Sequence, residues 1–165
     1  MTIASGPITQ ICWVTDDIEA TERLLSEQFG VGVWTRIPDV EFGAETTTLR
    51  GEPVRFVAHI SLGYAGDLQL ELIQPVEGPT IHAEFLAERG PGLHHVCFEV
   101  DDVEAACAAA EDAGVPVLMR GSMMDGEIEF AYVDGSAGGA PYVELARIGP
   151  QMQAFYAAVK EQSNP

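Results

Sequence analysis

Positive charge is scarce in this chain. Only 8 Lys and Arg stand against 26 Asp and Glu in 165 residues, a formal net charge of −18 at pH 7. That balance opposes nucleic acid and anionic membrane surfaces as partners. Cysteine is scarce too. Cys12, Cys97 and Cys107 are odd in number and follow neither a disulfide framework nor a CxxC metal pattern. Reduced thiols in a cytoplasmic protein are the simpler expectation. No apolar run approaches the ~20 residues of a membrane helix. The stretch Met1–Pro7 has neither the basic nor the apolar part of a signal peptide. Gly135-Ser136-Ala137-Gly138-Gly139 lacks the Lys-Ser/Thr end of a phosphate loop and reads as a turn, and no GxSxG elbow occurs.

What the chain does have is a repeat. Gln10-Ile-Cys-Trp-Val-Thr-Asp-Asp-Ile-Glu-Ala20 returns as His95-Val-Cys-Phe-Glu-Val-Asp-Asp-Val-Glu-Ala105, an offset of 85 residues. Leu70-Glu71-Leu72 is echoed by Val143-Glu144-Leu145. A fixed period implies two copies of one module. Each half alone is thin for an independent core, so the halves are expected to share one. The repeat also makes Gln10, Glu71, His95 and Glu144 equivalent positions facing one another across a pseudo-two-fold axis.

The local signals give β-α-β-β-β twice. Strands are expected at 8–15, 32–38, 53–62 and 66–74, then at 93–100, 115–121, 127–134 and 140–147, from β-branched and aromatic alternation. Asp16-Asp17 and Asp101-Asp102 read as N-caps of helices 17–29 and 102–113, which stop at Gly30 and Gly114. Ile18, Leu25 and Phe29 would form the buried face of the first, and Val103, Cys107 and Ala110 that of the second. The fold class is α+β: two βαβββ modules in a curved mixed sheet around a metal or ligand cleft, plus a C-terminal helix. The division is 1–74 for the first module, 75–92 for a connector with a short helix at 80–89, 93–147 for the second module, and 148–165 for the tail. In the tail, Met152, Phe155, Tyr156 and Val159 share a helical face that packs on the sheet or on a second subunit, and Ser163-Asn164-Pro165 reads as frayed.

Alternation also assigns faces. His95, Cys97 and Glu99 look into a cavity, while Val96, Phe98 and Val100 pack on a helix. In the strand around His59, Phe56, Ala58, Ile60 and Leu62 are expected on the helix side, which sends Arg55, Val57, His59 and Ser61 to the cavity. Glu129 has the same status in the second half. His94 has the opposite parity to His95 and falls outside the site. His82 lies in the connector and reads as a surface residue.

Gly92-Leu93-His94-His95-Val96-Cys97-Phe98-Glu99-Val100-Asp101-Asp102 resembles the start of the second module in methylmalonyl-CoA epimerases. Leu70–Pro75 and Tyr142–Leu145 resemble their closing strands. The whole of about 7–147 resembles the vicinal oxygen chelate superfamily, which includes glyoxalases, bleomycin-binding proteins and extradiol dioxygenases. The resemblance implies a divalent ion on Gln10, Glu71, His95 and Glu144, with Gln10 standing where the epimerases usually have His. One imidazole, two carboxylates and an amide oxygen suit Co, Mn, Zn or Mg. It implies isomerase, epimerase or lyase chemistry on a small carbonyl or acyl-thioester substrate through an enolate, with Glu144, His59 or Glu129 moving the proton. A homodimer is expected. Two alternatives stay open: a non-catalytic binding protein for a drug or metabolite, and an iron-dependent ring-cleaving dioxygenase.

Overall fold

The computed structural model describes residues 2–164. The first half runs β1 (Gln10–Val14), α1 (Ile18–Phe29), β2 (Thr35–Phe42), a short hairpin β3 (Thr47–Leu49) and β4 (Glu52–Pro53), then β5 (Phe56–Ala65) and β6 (Leu68–Glu77). Helix α2 (Ile81–Arg89) leads to the second half: β7 (Gly92–Glu99), α3 (Val103–Asp112), β8 (Val117–Met123), β9 (Ile128–Asp134) and β10 (Tyr142–Ile148), followed by α4 (Pro150–Ser163). Together they make one curled mixed sheet, a half-barrel, in the order β2-β5-β6-β1-β7-β10-β9-β8-β3-β4.

Local chemistry starts and stops the helices. The Asp17 carboxylate accepts from the Ala20 N–H at 2.9 Å, and Asp102 repeats this with Ala105 at 2.9 Å, so each satisfies a free donor of the first turn. Gly30 ends α1 with φ of 72°, a left-handed conformation that costs glycine little.

The repeat is visible in the strand register. The central strands β1 and β7 are antiparallel, with Gln10 opposite Cys97, Ile11 opposite Val96 and Cys12 opposite His95. Equivalent residues therefore pair symmetrically about Ile11 and Val96. On the flanks, β6 and β10 run parallel to these strands, Glu71 beside Cys12 and Glu144 beside Cys97. The symmetry breaks at one point. Trp13 pairs with Leu93, so His94 is an extra residue on β7, and such a bulge twists its strand and re-aims side chains.

Helix α3 lies on β8, β9 and β10 with Val103, Ala106, Cys107 and Ala110 buried. Helix α1 packs on β6, and α4 on β5, where Val159 is buried and Phe155 and Tyr156 join Leu62 and Tyr64. Helix α2 plugs one end of the half-barrel, with Ile81 and Phe85 among Phe42, Phe56, Phe130 and Tyr132. There Gly121 is required, because a Cβ on it would lie 2.2 Å from the Phe130 ring.

Several expectations need correction. The hairpin 47–53 reaches across to pair with β8; its strands of three and two residues are too short to show a period. Phe29 is 70% exposed rather than part of the inner face, because α1 closes at Gly30 as it leaves the sheet. Ser163 donates to the Val33 carbonyl at 2.7 Å and the Asn164 amide bonds to Gly66 at 3.1 Å, so both are held rather than frayed; Pro165 lies outside the described residues. No helix among the described residues is long and apolar enough to cross a membrane.

Candidate metal and ligand site

Four side chains meet at the middle of the sheet. His95 Nε2 lies 3.1 Å from Glu144 Oε2, 3.6 Å from Glu71 Oε2 and 3.3 Å from Gln10 Oε1. His95 is fully buried, and Gln10 and Glu144 are nearly so. The strands β6, β1, β7 and β10 supply one residue each, which is why only the assembled halves make the site.

Gln10 offers its oxygen for a visible reason. Its Nε2 donates to Gln69 Oε1 at 2.7 Å, and Gln69 Nε2 donates to Tyr64 Oη at 2.9 Å. This chain fixes the amide with nitrogen outward and oxygen toward His95. Gln69 is the parallel neighbour of Gln10 across the strands. Gln69→Leu should free the amide and weaken divalent-ion affinity by about 10–100-fold, measured by calorimetric titration; unchanged affinity would show that Gln10 needs no such partner.

Electrostatics single out Glu71. Burial, and then the Glu144 charge, push its carboxyl up to about 8, while a hydrogen bond from Cys12 pulls the other way. Two buried carboxylates facing each other are costly without a cation. The donor set thus fits a divalent ion: three acceptor oxygens and one imidazole converge, and no Lys or Arg side chain stands among them. An ion on His95 Nε2 requires the proton on Nδ1, and His94 Nδ1 accepts there at 2.8 Å.

The site opens into a cavity of about 220 Å3 bounded by both halves and by Met152 and Tyr156 of α4. Its walls are mostly apolar, with Ile37, Phe42, Phe56, Ile60, Met119 and Phe130 among them.

Residues 9–132 match the Glyoxalase/Bleomycin resistance protein/Dioxygenase superfamily. The chain belongs to this superfamily. It is 36% identical to the ethylmalonyl-CoA/methylmalonyl-CoA epimerase of Cereibacter sphaeroides over 97 residues, covering 52% of this chain and 70% of that one. It is 30% identical to the mitochondrial methylmalonyl-CoA epimerase of Bos taurus over 121 residues, covering 59% and 67%. The crystal structure of methylmalonyl-CoA epimerase from Mycobacterium tuberculosis has the same fold, with a TM-score of 0.59 at 18% identity over 93% of this chain and 94% of that one. A methylmalonyl-CoA epimerase in complex with methylmalonyl-CoA and NH4+ matches with a TM-score of 0.58 at 21% identity, over 87% and 94%. Superfamily members usually hold a divalent ion, and this chain has side chains grouped to hold one.

The sequence-derived candidates divide into two sets. Gln10, Glu71, His95 and Glu144 come together. His59 and Glu129 do not. His59 Nδ1 accepts from the Asp39 N–H at 3.1 Å on the outer side of β5, and Glu129 is bound to Arg147 at 2.9 Å. The face assignment was inverted: Phe56, Ala58, Ile60 and Leu62 line the cavity, while Ser61 bonds to Glu22 of α1 at 2.6 Å. The reason is that the cavity is apolar, so the apolar side of β5 faces inward and its polar side meets the charged surface of α1. On β9, likewise, Ile128, Phe130 and Tyr132 take the cavity.

His94 and His82 are corrected as well. The bulge turns His94 to the same interior as His95, and both are fully buried. His82 is buried too, its ring stacked on His94 with centroids 4.5 Å apart and its Nδ1 2.9 Å from Thr80 Oγ1. Burial pushes both imidazoles well below the usual range. Nothing in the sequence marks the bulge. Gln69 was legible: it precedes Glu71 by two on a strand and so shares its face.

Proposed function

We propose that this protein is a divalent-ion-dependent epimerase or isomerase that moves a proton at the carbon beside a carbonyl. The observation that carries the reading is the pair Glu71 and Glu144, which approach His95 from opposite flanks. The names of the relatives, epimerases of acyl-CoA compounds, support the reaction class.

Gln10, Glu71, His95 and Glu144 would hold the ion, which supplies a Lewis acid that makes a carbon acid beside the carbonyl accessible to a carboxylate. His95 would anchor the site, its Nδ1–H donating a hydrogen bond to His94 Nδ1. Gln10 presents its amide oxygen, held by Gln69 and Tyr64. Glu144 takes the proton from one side of the carbon. Glu71 gives up its own proton as the ion binds, so its carboxylate on the opposite flank is the second group able to carry the substrate proton.

The test is NMR of the substrate α-hydrogen in deuterium oxide with Mn- or Co-loaded protein, across 2-hydroxy ketones and acyl-CoA thioesters. Exchange that disappears in His95→Ala supports the reading. Ion uptake without exchange across that panel overturns it. A non-catalytic binding role is the second reading, favoured by the apolar wall, and its signature is ligand capture without exchange. A ring-cleaving iron site draws on two imidazoles; among the described residues, only His95 meets the carboxylates.

A further inference from the structure

Gln10, Glu71 and Glu144 are the polar part of the cavity lining near His95, and the rest of that lining is of a different character. Every methionine among the described residues, Met119, Met123, Met124 and Met152, lines this cavity. Of the remaining wall, Glu99 and Thr9 sit near the edge, and no Lys or Arg contributes at all. Seven of the eight cations are engaged elsewhere. Arg36, Arg50, Arg55, Arg120, Arg147 and Lys160 each form an ion pair with a surface acid. Arg89 lies over the Phe85 ring.

We propose that the substrate is neutral away from its carbonyl end: an aryl or alkyl carbonyl compound whose apolar part fills the cavity. This rests on the proton-transfer reading above for the oxygen end only. Three physical arguments carry it. A free carboxylate or phosphate inside the cavity would meet Glu71 and Glu144 with no cation from the wall to offset it. The phosphates of a CoA ester would approach a surface of net charge −18 on which six of the eight cations already sit in ion pairs. Size agrees as well: an apolar cavity of about 150 Å3 accepts benzene, so 220 Å3 accepts a ring with a short oxygenated arm. The methionines add tolerance, because unbranched thioethers re-pack around differently shaped apolar groups.

The experiment displaces a neutral fluorescent reporter, N-phenyl-1-naphthylamine, from the full chain. The competitors are 1-hydroxy-2-alkanones from butanone to octanone, 2-hydroxyacetophenone and propionyl-CoA. Affinity should rise about fourfold per added methylene until the cavity is full. 2-Hydroxyacetophenone should compete better than propionyl-CoA. Ala146→Phe fills the wall and should weaken octanone-length binding by about tenfold, with thermal unfolding as the check on its fold. If that variant does not fold, the wild-type series decides. Affinity independent of chain length, or propionyl-CoA binding more tightly than every neutral ketone, overturns the proposal. Deuterium exchange separates the two claims. Exchange in acyl-CoA alone sinks this inference and leaves the epimerase reading, whereas graded ketone binding without any exchange sinks that reading and supports this one.

Discussion

Glu144→Gln is expected to lower the rate of α-proton exchange by about 10²–10⁴-fold while the chain remains folded. Glu144 sits in the middle of β10 with its backbone paired to Tyr132 on β9 and its neighbour Cys97 on β7. An amide fits the same space, so the sheet register has no reason to change. The amide oxygen can still serve as a ligand, as Gln10 is placed to do, so ion affinity should suffer less than the rate. What is lost is the basic carboxylate 3.1 Å from His95. The check is the exchange rate at saturating ion and substrate. A fall of less than about tenfold would take the base role away from Glu144. The same substitution at Glu71 would then be the one to abolish exchange. His59→Gln should leave the rate nearly unchanged, because that ring lies outside the cavity against Asp39.

Glu71→Gln should have an opposite effect on stability and on ion binding. In the native chain burial and the Glu144 charge push the Glu71 carboxyl up to about 8, from an ordinary value near 4.5. The unfolded chain therefore loses this proton near 4.5 while the folded chain keeps it to about 8. Folding binds the proton across that window, so stability of the ion-free protein falls as pH rises through it, by at most about 1.4 kcal/mol per pH unit. Above the window the penalty is complete and the slope vanishes. Gln carries no proton to lose, so the variant should melt at a temperature independent of this window and be more stable than wild type by a few kcal/mol at alkaline pH. It should bind the ion more weakly, having lost one charge of the donor set. The measurement is thermal unfolding in chelator between pH 5 and 9 for both proteins. A wild type whose melting does not change with pH over that range would show that Glu71 is not buried beside a second charge.

The fold was legible because the repeat constrained it. Asp17 and Asp102 announce the two equivalent helices, and the matching strands 10–14 and 92–99 pair with each other in the register the repeat implies. The four convergent residues were legible for the same reason, since each occupies an inward position on one of the four central strands. The faces of β5 and β9 were not. Alternation says which residues share a face; it does not say which face is inside. Assigning the polar side to the cavity assumed a polar cavity, whereas this one is walled by Phe42, Phe56 and Phe130. His94 was misplaced because parity counts fail at a bulge, and the bulge depends on how β7 meets β1 rather than on its own sequence. His82 was misplaced because the connector helix tucks under the sheet, a packing choice that nine residues of modest amphipathicity do not reveal.

The measurement that bears most directly on the site is a titration of chelator-treated protein with Mn2+ near pH 7, following ion uptake and proton release together. Gln10, Glu71, His95 and Glu144 should take up one ion per chain. About one proton should appear in the medium as it binds, because the Glu71 carboxyl is still protonated at that pH. The release should vanish in Glu71→Gln, and His95→Ala should bind no ion tightly. Wild-type protein that takes up no divalent ion, or a His95→Ala chain that retains one stoichiometrically, would contradict the account.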